Sequence, residues 1–197
     1  MPLIARPKTD PAVLAAFVRA SNAIEDLADP PYGPGTPEFD DHLDAARRVA
    51  AGSLENIFDI HFVLMRRLLG PASAGIVRNT FVTVGGDTPP GPGAHLRAHL
   101  GRLSRYLVEG AHEGEPAAAF AWRMHHEFQC VHPFVDGNGR TGRLLLNVLR
   151  AKAGLPWLSV SAEKAERSAY YKLIRRYRAK DFRCPYATNG GDVRACQ

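Results

Sequence analysis

Cysteine is scarce: Cys130, Cys184 and Cys196 are the only three in 197 residues, widely spaced and odd in number. That excludes a disulfide framework and points to reduced thiols, as expected in a cytoplasm, although a protein delivered into another cell would carry the same signature. No apolar run is long enough to span a bilayer, and the segment MPLIARPKTD lacks the apolar core of a secretory leader, so no membrane partner is expected. Internal repeats are absent. Strand-like patterning is confined to one stretch, Arg78 to Gly86 (RNTFVTVGG), followed by a Pro-Gly-rich run to Gly93. What remains is a chain of one-domain size and mainly α class, with helical patterns over 11–28, 38–51, 53–69, 94–109, 117–131, 140–154 and 161–180.

Chemistry is concentrated in one place. The run HPFVDGNGRTGR, His132 to Arg143, puts an imidazole, a carboxylate, three glycines and two arginines where a loop enters a helix. Each residue type answers a demand of phosphoryl chemistry. His132 is the loop's candidate proton acceptor for an attacking hydroxyl. Asp136 offers the oxygen ligand that a hard divalent cation prefers. Gly137, Gly139 and Gly142 let the backbone approach phosphate oxygens and turn successive N–H groups toward one anion. Asn138 reads as an N-cap, so the positive end of the following helix points into the loop. Arg140 and Arg143, three apart, present two rigid forks on one side of the first turn.

Other phosphate and metal motifs do not fit this run. The glycine spacing also satisfies G-x-G-x-x-G, but a dinucleotide fold needs a strand before the first glycine, and AAAFAWRMHHEFQCV is a helix. A Walker loop needs Gly-Lys-Ser or Gly-Lys-Thr, which is missing. The cluster His125, His126, Glu127 lacks a zincin's second His, whose place is held by Cys130. The net charge of +5 is uneven, with Lys172, Arg175, Arg176, Arg178, Lys180 and Arg183 near Tyr171, Tyr177 and Phe182. A nucleic-acid module could use such a stripe. It would not need a His, an acid and two arginines in fixed register, so nucleic acid is not the expected partner.

The loop resembles the core motif of the Fic family, H-x-F-x-[DE]-G-N-G-R-x-x-R, at every specified position: His132, Phe134, Asp136, Gly137, Asn138, Gly139, Arg140 and Arg143. Similarity extends from about Ile57 to Tyr177, through FVTVGGDTPP, GLPWL and SAYYKL. The resemblance implies a Fic-type helical bundle with a small β-hairpin flap, and transfer of AMP from ATP to a hydroxyl side chain of a target protein, with self-modification as one outcome. By position, His132 would be the base and Asp136 would bind Mg²⁺. Gly137, Asn138, Gly139 and Gly142 would form the nest, Arg140 and Arg143 would hold the β- and γ-phosphates, and Phe134 would anchor the loop. Phe81, Val82, Thr83 and Val84 would be the flap edge that docks the target by strand addition, and Tyr170 and Tyr171 would lie near the adenine. Residues 1–52 would be an N-terminal helical region, 53–183 the core and 184–197 a tail.

Upstream, PAVLAAFVRASNAIEDLAD reads as an amphipathic helix whose stripe carries Leu14, Val18, Ser21, Glu25 and Ala28. A carboxylate on that face should find a cation. Ser21 to Glu25 resembles the inhibitory helix of class II Fic proteins, S/T-x-x-x-E-G/N, whose Glu pairs with the second motif arginine and obstructs the γ-phosphate. Asp26 stands where that pattern has Gly or Asn. The same Glu could instead orient water for removal of AMP.

Overall fold

The computed structural model describes residues 9–86 and 88–182. The expected tail, 184–197 with Cys184 and Cys196, lies outside them, as does Arg183 at the end of the expected core. The described helices are α1 (Pro11–Ile24), α2 (Pro37–Ala51), α3 (Ile57–Leu69), α4 (Ala94–Glu109), α5 (Ala117–Val131), α6 (Asn138–Lys152) and α7 (Lys164–Lys180).

Local chemistry sets most boundaries. Asp10 caps α1 by accepting the Ala12 N–H at 2.7 Å, with Pro11 behind it. Asn56 accepts the Phe58 N–H at 2.8 Å and starts α3 four residues later than the pattern predicts. At its far end α1 stops at Ile24, short of the expected Ala28, because Asp26 takes φ 61° and turns the chain. Ala28 is therefore exposed rather than part of the stripe.

Helix α6 is the axis of the bundle, buried on all sides from Arg140 to Ala151. Leu144 and Val148 face Leu14, Phe17 and Val18 of α1, Phe39, Ala45 and Val49 of α2, and Ile60 and Val63 of α3. Leu145, Leu146 and Leu149 face Phe120, Met124 and Phe128 of α5 and Leu103 of α4. The N-terminal helices thus share a core with the motif helix. No helix among the described residues is long and apolar enough to cross a membrane.

No hairpin ladder is seen among the described residues of the expected flap. Among residues 76–93, with Asp87 outside the description, only Val84 has a bridge assignment, and Phe81, Val82 and Thr83 lie in irregular chain. The return strand would run through Pro89, Pro90 and Pro92, which have no N–H to donate to a ladder. Phe81, 69% exposed, instead lays its ring over Gly91, where a Cβ would sit 3.0 Å from Cε1.

Candidate active site

The site begins with the way α5 ends. His132 caps that helix in the left-handed region, φ 47°, its N–H donating to the Phe128 carbonyl at 2.9 Å. Such a conformation costs a non-glycine residue about 1–3 kcal/mol and persists only where neighbours impose it. Here Arg78 Nε donates to the His132 carbonyl at 2.8 Å, and the Arg78 backbone N–H donates to the Pro133 carbonyl at 2.9 Å.

The next turn closes on Asn138. Its Oδ1 accepts the Phe134 N–H and its Nδ2 donates to the Phe134 carbonyl, both at 2.9 Å. Asn138 is therefore the brace of the loop and the first residue of α6. The N-cap is Gly137, which has no capping side chain. Phe134 is fully buried and stacks on His61 at 3.7 Å between centroids, which fits the anchoring role expected for it. The His61 Nδ1 must accept, because it faces the Gly75 N–H at 2.7 Å, so Nε2 carries the proton and donates to the Asp136 carbonyl at 2.9 Å. Gly137 is required twice, by φ 74° and by Met65, whose Sδ would lie 2.6 Å from a Cβ.

Above this turn is a cavity of about 250 Å³ lined by Glu25, Leu27, His132, Val135, Asp136, Gly137, Asn138, Gly139 and Arg140. Burial lowers the His132 pKa to about 4; the Gln129 backbone opposes that shift, and the positive charges of Arg78 and Arg178 add to it. The imidazole is thus neutral at pH 7 and able to take a proton. Its Nδ1 is buried with no hydrogen-bond partner among the described residues. Arg140 is 3% exposed, and its Nε and Nη1 are likewise without partners. The Asp136 carboxylate, 66% exposed, lies 3.9 Å from Arg140 Nη2. A buried guanidinium with two orphaned nitrogens, at an uncapped helix N-terminus, is chemically a seat for an anion.

Arg143 has its anion already. Its Nε donates to Ser21 Oγ at 2.7 Å, and its Nη2 donates to the Ser21 carbonyl at 2.9 Å and to Glu25 Oε1 at 2.8 Å. The carboxylate hangs over Gly139, where a Cβ would come within 1.9 Å of Glu25 Oε1. Asp26 departs from the resembled pattern yet adopts the left-handed φ of 61° that Gly or Asn would take, and its carboxylate forks with Arg167 of α7 at 2.8 and 2.9 Å.

Two expectations need correction. Gly142 faces α5 rather than the anion: a Cβ there would sit 2.2 Å from Gln129 Nε2, and its carbonyl accepts from His125 Nδ1 at 2.8 Å. Tyr170, expected near the adenine, is buried at 4% exposure. Its hydroxyl donates to His125 Nε2 at 2.9 Å inside the core, with its pKa pushed up to about 12 by burial against the pull of Arg143. Tyr171 does line a second cavity of about 270 Å³, with Val84, Gly85, Gln129, Ile174, Arg175 and Arg178.

Sequence reasoning missed Arg78, His61 and Gln129. Gln129 Nε2 lies within reach of the Asn138 carbonyl at 3.3 Å and the Gly139 carbonyl at 3.5 Å. The one available signal was a polar residue inside an apolar helix face, as with His61 in IFDIHFVLM.

Comparison with known proteins agrees with this geometry. Residues 52–149 match the Fic/DOC family profile. A protein adenylyltransferase Fic from Drosophila grimshawi is 37% identical over 134 residues, covering 66% of this chain and 26% of that protein. The chain thus spans about a quarter of the length of that curated relative. Residues 134–508 of Fic-1 from C. elegans superpose with a TM-score of 0.67 at 25% identity, covering 92% of this chain and 58% of the other. A Fic domain containing signaling protein from Bacteroides thetaiotaomicron superposes with a TM-score of 0.66 at 17% identity, covering 93% and 79%.

Proposed function

The chain belongs to the Fic/DOC family, and from that premise we propose that it is a protein adenylyltransferase, moving AMP from ATP to a hydroxyl of a target protein with release of pyrophosphate. The observation that carries this reading is Arg140, buried and with two nitrogens unsatisfied, beside a neutral His132. Over the amino end of α6 the N–H groups near Gly137 to Gly139 and the Arg140 fork would bind the phosphates. Arg143, freed from Glu25, would hold the terminal one. The cavity beside Tyr171 has the size and apolar wall to take the adenine.

His132 takes the proton of the acceptor hydroxyl, and that oxygen attacks the α-phosphorus in line with the departing pyrophosphate. The catalytic contribution is positioning and charge neutralisation. Mg²⁺ fits the donor set: Asp136 lines the cavity with a carboxylate 66% exposed, and Mg²⁺ is commonly held by one or two carboxylates plus substrate phosphates. Asp136 would be that carboxylate, and the ion would neutralise the phosphate charge.

In the resting chain Glu25 occupies the seat of the terminal phosphate on Arg143, an autoinhibited state within one polypeptide. Glu25→Gly incubated with ATP labelled on the α- or the γ-phosphate tests both ideas. Label should move from the α position only, and faster than in the parent; transfer from γ alone would make the protein a kinase. His132→Ala in the Glu25→Gly background should lose about 10²- to 10⁴-fold in transfer rate with its melting temperature unchanged.

A further inference from the structure

We propose that Arg78 is a positioning residue that couples the segment expected to present the target to the orientation of His132, an inference that rests on the transfer reading above. Arg78 is 3% exposed, and its donors go to carbonyls in three places: Nε to His132 at 2.8 Å, Nη1 to Thr80 at 2.7 Å and Nη2 to Pro90 at 2.6 Å. Its own N–H adds the Pro133 carbonyl at 2.9 Å.

Those acceptors belong to separate stretches of chain: the end of α5 with the base, the start of the flap segment and its return. A guanidinium is planar and its donors are fixed relative to one another, so none of the three stretches moves without disturbing the other two. Burying a cation against backbone carbonyls costs desolvation that an apolar filler would avoid; burial accordingly lowers the Arg78 pKa.

What the cation supplies is direction. His132 sits at φ 47°, a conformation an unconstrained residue leaves, and Arg78 grips the carbonyl that defines it. This one side chain registers Thr80 and Pro90, at the two ends of the flap segment, against the site. A target strand laid along Phe81 to Val84 would therefore set its acceptor hydroxyl and the base from one reference.

The test uses the full chain carrying Glu25→Gly, with Arg78→Lys or Arg78→Met added. A single ammonium keeps the charge but cannot span three carbonyls. Turnover should fall about 100-fold, the cost of a misplaced base, while the affinity for a non-hydrolysable ATP analogue falls far less, because its phosphate ligands lie at the amino end of α6 and only Val84 and Gly85 of the adenine cavity belong to the flap segment. Added guanidinium ion should restore part of the turnover of an Arg78→Ala protein. Hydrogen exchange in peptides covering 79–86 and 131–135 should quicken together, with α6 still protected. Unchanged turnover, a matched loss of nucleotide affinity, or quickening in only one of the two peptides would overturn the coupling. If Glu25→Gly alone transfers no AMP, the transfer reading fails, and the exchange measurement still decides whether Arg78 links the two segments.

Discussion

The two motif arginines stand three residues apart on α6, both essentially buried, in opposite surroundings. Arg143 is enclosed by protein anion and oxygen: Ser21 Oγ, the Ser21 carbonyl and the Glu25 carboxylate, all within 2.9 Å. Arg140 has the Asp136 carboxylate at 3.9 Å and two nitrogens without a partner among the described residues, where Arg143 has one, its Nη1. Their acidities diverge accordingly. Burial lowers the pKa of Arg140 and outweighs the pull of Asp136 and Glu25, whereas at Arg143 Glu25 and Tyr170 outweigh burial and raise it. The difference comes from α1, which brings a carboxylate to one arginine and none to the other. Of the two arginines that the proposal gives to the phosphates, one is paired from within the chain and the other keeps two nitrogens for a ligand.

Neutralising each arginine in turn breaks the comparison most directly. Arg140→Met removes a buried charge whose partners are missing, so the folded state should be unharmed or slightly stabilised. Its affinity for ATP, measured by calorimetry in the Glu25→Gly background, should fall more than about 100-fold, the loss of roughly two charge-assisted hydrogen bonds. Arg143→Met should do the reverse to stability. It strands Ser21 and Glu25 and should cost about 2–3 kcal/mol, the low end for a broken buried pair because Glu25 is 33% exposed. Equal stability losses for the two variants would mean that Arg140 has partners the geometry does not show.

The gathering of the motif residues round one cavity was legible in the sequence, and the grip around them was not. His132, Asp136, Gly137 and Arg140 occupy the positions that the motif alone assigns, because glycine spacing, a base and paired arginines are local features within one turn of chain. All seven helical patterns met a described helix to within about four residues at either end for similar reasons. Arg78 and His61 act across 54 and 75 residues of sequence separation, on backbone carbonyls that leave no compositional trace. Gly142 misled because a glycine that admits phosphate and one that admits a neighbouring helix look identical in a sequence. The expected hairpin is not seen among the described residues, where Pro89, Pro90 and Pro92 have no N–H to give a ladder, however strong the strand propensity on the other side.

Acid offers a second way to separate the two arginines' surroundings. His42 bonds Asn22 of α1 through Nδ1 at 2.8 Å, and burial together with Arg140 and Arg143 holds its pKa well below the ordinary value. Burial also lowers His61, His126 and His132 to about 4 and His99 and His125 to about 3. Each is neutral in the folded chain and titrates near 6.5 when unfolded, so the unfolded state binds more protons between those values. Their contribution to stability is complete above pH 6.5 and is lost progressively as pH falls toward 4 and 3. By pH 5 each such group removes up to about 2 kcal/mol, against a total stability of roughly 5–15 kcal/mol for a domain of this kind. Circular dichroism should therefore show cooperative unfolding with a midpoint between pH 6.5 and 4. A native spectrum with an unchanged melting temperature at pH 4 would contradict the buried, neutral state of these rings. Charging His42 would add a third cation beside Arg140 and Arg143, so its protonation should loosen the α1 contact.

The smallest expected effect concerns how Glu25 is kept on Arg143. Beyond the carboxylate itself, the turn after α1 is held by the Asp26 fork to Arg167 and by the Tyr171 hydroxyl donating to the Ile24 carbonyl at 3.3 Å. The Arg167 guanidinium also lies over the Tyr171 ring, 5.8 Å from its centroid. Asp26 is 78% exposed, and exposed ion pairs contribute little. Arg167→Ala should therefore raise ATP-dependent self-modification by only about two- to fivefold, well short of Glu25→Gly. Salt distinguishes the clasp from the buried pair it supports, since screening acts on the exposed fork and barely reaches Arg143. Raising ionic strength should lift the parent's basal rate toward that of Arg167→Ala and leave the variant's rate nearly flat. If both proteins respond to salt alike, the fork does not help to keep Glu25 in place, and the buried contacts of Ser21 and Glu25 hold α1 on their own.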